Sequence, residues 1–142
     1  MTEQHLATPE LSEAAFYAAF QAADLQSMMA VWADDDKIAC VHPGGPLLVG
    51  HAQVEESWRR ILNGGERARL RVVLRSRLHA PGLAVHVVEE HLTFVGDEGP
   101  RRPVISTNVY RLTANGWRLV LHHAAPSAVR AEARETPART VH

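Results

Sequence analysis

Hydrophobic residues along this chain follow two different rhythms. Up to about residue 62 they recur three and four positions apart, as on one side of a helix; from residue 68 they alternate, as on one face of a strand. In the first half, Leu11, Phe16, Phe20 and Ala23 predict a helix. Thr8 or Ser12 can cap it, Pro9 suits its first turn, and Glu10 and Glu13 sit near its positive end. Asp24 predicts a second N-cap, for a short helix with Leu25, Met28, Met29 and Trp32 along one side. The acidic run Asp34-Asp35-Asp36 would oppose a helix dipole and belongs to the turn that follows. A short strand is expected at 37–42, then the turn Pro43-Gly44-Gly45-Pro46, a second short strand at 47–49 and a break at Gly50. Val54, Trp58, Ile61 and Leu62 mark a third helix over 51–62, ended by Asn63-Gly64-Gly65.

The second half reads as four strands. Over 68–79, Leu70, Val72, Leu74, Ser76 and Leu78 share one face and Arg69, Arg71, Val73, Arg75 and Arg77 the other. Pro81-Gly82 turns the chain into a strand over 82–95. Residues 96–100 turn it again, a strand covers 103–113, and Asn115-Gly116 predicts a tight hairpin into a last strand over 117–125. Helices first and antiparallel strands afterwards predict an α+β fold, with three helices packed on one face of a bent sheet. The expected boundaries are one domain over 1–126 and a flexible C-terminal tail over 127–142, which lacks aromatic anchors.

Composition narrows the function classes. A hydrophobic content of 46% and a charged content of 22% suit a globular core. A net charge of −1 argues against a nucleic-acid surface. No apolar run is long enough to span a bilayer, and the first residues have neither the basic nor the apolar region of a secretory signal, so no membrane role and a cytoplasmic location are expected. Cys40 is the single cysteine, which excludes an internal disulfide and Cys-rich zinc sites.

Two stretches carry a family resemblance over roughly residues 10–126. One runs Trp32-Ala33-Asp34-Asp35-Asp36 through Cys40-Val41-His42-Pro43-Gly44-Gly45, with Gly50 and Ser57-Trp58-Arg59 following. The other is Ser106-Thr107-Asn108-Val109-Tyr110-Arg111 with Asn115-Gly116-Trp117 through His122-His123-Ala124-Ala125-Pro126. Together they resemble the nuclear transport factor 2-like superfamily, shared by ketosteroid isomerase and SnoaL-like polyketide cyclases. The second stretch is also similar to the association domain of calcium/calmodulin-dependent protein kinase II. The resemblance implies a cone-shaped half-barrel, a strongly bent and mostly antiparallel sheet, a pocket between helices and concave sheet face, and a homodimer formed through the sheet. The arginines that line the kinase association pocket correspond here to Asn108, Ala124 and Val88, so its carboxylate-binding character does not transfer. The Tyr/Asp/Asp set of ketosteroid isomerase is not recognisable. Fold analogy therefore implies a pocket and not a reaction.

Alternation selects the pocket candidates. Over 84–94 the even positions are Ala84, His86, Val88, Glu90, Leu92 and Phe94, the more apolar set at the far end, which places Glu90 inward. A buried carboxylate can be a general base, a neutral acid that donates a hydrogen bond, or an anchor for a neighbouring Arg or His. Glu89 and His91, on the other face, are expected across from Arg75 and Arg77 in surface pairs. The resemblance places Asn108 inward, and Tyr110 follows by parity; either can meet a ligand or satisfy the fold itself. His122 and His123 must point to opposite faces. Ala124 favours His122 inward, the set Trp117, Leu119, Leu121 favours His123, and His122 is the expectation taken. His42 precedes a turn at a strand end, where a ring can be aimed into a pocket or merely held extended before proline. Trp58 can pack in the core or roof the cavity.

The candidate set is thus Glu90 and His42 for acid–base chemistry and Trp58, Asn108, Tyr110 and His122 for ligand contact. No H-x-H or H-E-x-x-H spacing is present, so neither a metal nor a cofactor is expected, although His42, Glu90 and an inward histidine are conceivable ligands. The expected function is a domain that binds a small molecule. The alternatives are an isomerase, cyclase or dehydratase that uses Glu90 or a histidine, and a structural dimerisation domain.

Overall fold

A computed structural model describes residues 6–64, 68–94, 96 and 101–128. Among these residues three helices precede or interrupt the strands: α1 (Pro9–Ala22), α2 (Leu25–Val31) and α3 (His51–Leu62). The strands are β1 (Ala39–Val41), β2 (Leu47–Val49), β3 (Ala68–Ala80), β4 (Leu83–Phe94), β5 (Val104–Thr113) and β6 (Gly116–Pro126). They form one sheet in the order β2-β1-β6-β5-β4-β3, antiparallel except where β1 runs parallel to β6. This is the expected α+β arrangement, with the sheet left open. Most of the expected tail, residues 129–142, and most of the expected turn at 96–100 lie outside the described residues.

The caps are the expected ones. Thr8 Oγ1 accepts the Leu11 N–H at 3.1 Å, and Asp24 accepts the Ser27 N–H at 3.1 Å. Each cap satisfies a backbone donor that the first helical turn leaves unpaired. Gly116 closes the β5–β6 hairpin at φ +100°, and a Cβ there would lie 2.9 Å from the Leu6 carbonyl oxygen. Only glycine fits both that backbone and that approach.

The helices cover one sheet face. Phe16 sits at the centre of the core, with its ring edge-on to Tyr17, Trp32 and Trp58. Met28, Val31, Ile38, Val88, Tyr110 and Leu119 fill the remaining space. Leu11, expected on the inward stripe of α1, is 45% exposed; Ser12, Phe16, Tyr17 and Ala19 face the sheet instead.

The uninterrupted alternation expected in β3 is also corrected. Its pairing with β4 shifts between Leu74 and Ser76, leaving Arg75 as an extra residue. A bulge of one residue exchanges the faces of everything beyond it. Leu70, Val72 and Leu74 therefore lie opposite Leu92, Glu90 and Val88 on the helix side, whereas Leu78 points away at 67% exposed. Arg77 and His79 turn to the helix side, opposite His86 and Ala84. Arg77 consequently pairs with Glu10 of α1 at 3.2 Å, not with His91 or Glu89. The pair Arg75–Glu89 does form, at 3.1 Å, but Glu89 is buried and not a surface residue.

Candidate functional site

A cavity of about 330 Å³ opens between α1, α3, the turn after β1 and the strands β4 to β6. Phe20, Trp58, Ile61, Leu62, Leu92 and Phe94 supply apolar wall, and Glu90, His42 and His122 bring the titratable groups. The volume lies near the lower end of the ~300–1,000 Å³ typical of small-molecule sites. A second depression of about 670 Å³, by Arg69, Arg71 and Arg101, is wider and more polar. It brings together none of the expected site residues.

Glu90 stands on the helix side of β4, as alternation predicts, and is 3% exposed. Among the described residues no arginine holds it. Its Oε2 accepts the Tyr17 hydroxyl at 2.5 Å and the Ser106 hydroxyl at 2.8 Å. Oε1 makes no hydrogen bond among the described residues. Burial raises its pKa above the ordinary carboxyl value, against the lowering effect of the two hydroxyls. Tyr17, buried beside this carboxylate, has its own pKa pushed well up and stays a donor.

His122 is the inward member of the pair, fully buried, and His123 is exposed. Its Nδ1 lies 2.6 Å from Asn108 Oδ1, so Nδ1 carries the proton and Nε2 is left as an acceptor. Burial, and then the neighbouring His42 and His123, lower its pKa to about 3. The ring is neutral at any ordinary pH.

The Pro43-Gly44-Gly45-Pro46 turn closes with the Gly45 N–H on the His42 carbonyl at 2.8 Å and directs the His42 ring toward α3. Ser57 spends its hydroxyl proton on the Val54 carbonyl, 2.8 Å away. Its oxygen must then accept from His42 Nε2, at 2.9 Å. That fixes the tautomer of neutral His42 and leaves Nδ1 as acceptor. Desolvation lowers its pKa. Trp58 packs edge-on to His42, with ring centroids 4.8 Å apart, and its indole N–H is buried with no partner among the described residues.

The structure therefore gathers Glu90, His42, Trp58 and His122 on one cavity wall. Asn108 sits one layer behind them. Its amide donates to Tyr17 at 3.0 Å and to Glu13 at 3.2 Å while its oxygen holds His122. Tyr110 is drawn away from the cavity; its hydroxyl donates to Glu13 at 2.9 Å. His42, Glu90 and His122 do not converge on a point where one metal ion could sit. Cys40 is buried beside His122, and its thiol is pushed up to about 12, which leaves it unreactive.

Sequence reasoning missed Tyr17, Ser106 and Glu13 as parts of this network. Tyr17 carried a weak signal, a polar-tipped residue next to Phe16 on a stripe destined for burial. Glu13 read as a dipole-compensating residue, because nothing local shows that α1 lays it across β5.

Comparison with known proteins agrees with this architecture. A candidate calcium/calmodulin-dependent protein kinase type II association domain from Thiobacillus denitrificans is 45% identical, with a TM-score of 0.82 over 86% of this chain and 97% of that one. A candidate dehydratase of the NTF2-like family from Streptomyces avermitilis is 27% identical, with a TM-score of 0.77 over 91% of this chain and all of that one. A ketosteroid isomerase-like protein from Erwinia carotovora atroseptica, 20% identical with a TM-score of 0.69 over 89% of this chain and 98% of that one, shares the fold. Among curated proteins, the Arabidopsis thaliana F-box protein SKIP8 is 28% identical over 102 residues, 71% of this chain; the match spans 42% of that longer protein. The sequence model of the SnoaL-like domain matches residues 13–129, and the chain belongs to the SnoaL-like domain family.

Proposed function

We propose that the chain is a binding domain for a small molecule with an apolar body and one polar end, which Glu90 and His122 orient. The observation that carries this reading is the half-satisfied carboxylate. Glu90 Oε2 is held by Tyr17 and Ser106, whereas Oε1 has no partner among the described residues and faces a largely apolar cavity. Oε1 is not among the buried atoms that lack a partner, so it stays open to the cavity. A ligand donor placed against it gains a hydrogen bond worth about 0.5–1.5 kcal/mol net.

The test is a thermal-shift screen of aromatic and alicyclic alcohols, ketones and acids, with calorimetry on each hit. At least one class should raise the melting temperature of the wild type and lose affinity in Glu90→Gln. A wild type that no compound stabilises, or hits that bind Glu90→Gln equally well, would refute it.

Acid–base catalysis is the second reading, favoured by the raised pKa of Glu90. A carboxylate so placed can take a proton from carbon beside a carbonyl and return it to another atom of the same molecule, as isomerases and dehydratases require. Exchange of solvent deuterium into a bound ketone, abolished in Glu90→Gln, would support catalysis over binding alone. Dimerisation through the sheet belongs to the same proposal. The face away from the helices carries the half-exposed row Val85, Val87, Ile105, Val109 and Leu121, which a second copy would cover. Light scattering should give twice the chain mass for the wild type and a single mass for Val109→Lys.

A further inference from the structure

A second group of titratable residues lies at the other end of α1, outside the cavity. The bulge at Arg75 brings His79 to the helix side of β3, diagonal to His86 on β4. The first turn of α1 crosses above them with Glu10. His79 Nε2 is 3.1 Å from His86 Nε2, and Glu10 Oε2 is 3.5 Å from the first and 3.8 Å from the second. A point equidistant from three atoms so separated lies about 2.0 Å from each, the length of a zinc–nitrogen or zinc–oxygen bond.

We infer that Glu10, His79 and His86 form a binding site for a divalent transition-metal ion, with zinc as the best fit to the donor set. Two imidazoles and a carboxylate suit zinc, and three protein ligands leave room for water. The surroundings supply what a ligand histidine needs. His86 is fully buried, and its Nδ1 donates to Glu13 Oε1 at 3.1 Å, so its Nε2 is unprotonated and, once His79 gives up its hydrogen bond there, can ligate the ion. Glu13 is itself steadied by Tyr110 and Asn108. A carboxylate behind a ligand imidazole sets the tautomer and strengthens the donor.

Without metal, the two rings meet nearly coplanar, 19° apart, in an N–H···N hydrogen bond. His79, solvent-accessible, is the ring that must tilt and move its proton to Nδ1 when an ion arrives. Arg77 Nη1 shares Glu10 Oε2 at 3.2 Å and must loosen its hold. The ion would clamp α1 to the β3–β4 hairpin, and through Glu13 it would touch the Asn108–His122 arm of the cavity network. No sequence motif announces the site, because its ligands come from a helix start and from two strands whose faces a bulge brought into line.

The test is zinc titration of the full chain against a chromophoric chelator, with cobalt absorption as a second readout. One equivalent should bind the wild type, and the cobalt form should show the intense visible bands of a four-coordinate site. His79→Gln and Glu10→Gln, both at accessible positions, should each weaken binding at least about tenfold and lose those bands. His51→Gln, at the start of α3 beside Glu55, should change neither readout. A wild type that does not bind, or variants at 79 and 10 that bind as tightly as the wild type, would overturn the site.

Discussion

Lowering the pH should unfold this protein partly through one ring. His122 is fully buried and held neutral by burial, with a pKa of about 3 against an ordinary 6.5. The folded state therefore refuses a proton that the unfolded state takes up. The stability that neutral His122 preserves is complete above 6.5 and is lost as pH falls toward about 3. Well inside that window each pH unit costs about 1.4 kcal/mol, and a drop from pH 6.5, where the unfolded ring is half protonated, to 4.5 costs about 2 kcal/mol. That is a large part of the ~5–15 kcal/mol that stabilises a typical domain. His122→Gln keeps a hydrogen-bonding group of similar reach near Asn108 but cannot titrate. Urea unfolding, followed by tryptophan fluorescence, is measured for both proteins at several pH values. Trp58, 6.0 Å from the His122 ring, reports on the region directly. The variant is expected to be the less stable protein at neutral pH, and the gap should close by about 1.4 kcal/mol per pH unit below 6.5. Two parallel stability curves, or an NMR titration of His122 near 6.5, would show that the ring is not desolvated as described.

Three further outcomes follow from the same network. Glu90 has the opposite sign: its neutral form contributes full stability below the ordinary 4.5, and that contribution is lost as pH rises through the raised folded value. Glu90→Gln should flatten this decline, and its urea midpoint should match or exceed the wild type under mildly alkaline conditions. Tyr17→Phe removes the donor to Glu90 and the acceptor for Asn108. It should cost about 1–3 kcal/mol at neutral pH, and an unchanged midpoint would mean the two groups find other partners. Trp58→Phe removes an indole N–H that has no hydrogen-bond partner among the described residues and takes ring surface from the cavity lining. Calorimetric affinity for a hit with an apolar body should fall as that contact is lost, and an unchanged affinity would remove Trp58 from the recognition set.

The inward placement of Glu90 and the division of His122 from His123 followed from alternation, because strand side chains have a period of two and one face is covered. Alternation failed in β3, where one extra residue at Arg75 exchanged the faces of Arg77, His79 and Leu78. Nothing in the run from Leu70 to Leu78 marks that bulge; it is visible only in the pairing with β4. Asn108 was correctly expected inward, but its role lies behind the cavity wall, holding His122. Tyr110 obeyed parity and still faces Glu13, since α1 reaches across the sheet at that level.

Local chemistry in the sequence was enough for the helices, their Thr8 and Asp24 caps, the glycine turns and the succession of strands along the chain, because each depends on neighbours a few residues away. It was also enough for the family, whose two matching stretches are continuous in the chain. Which oxygen of Glu90 is satisfied, which nitrogen of His122 carries the proton, and which residues of α1 meet which strands were decided only by tertiary packing. Those properties depend on groups as far apart as Tyr17 and Glu90, 73 positions along the chain, brought within hydrogen-bond reach by a helix laid across a bent sheet.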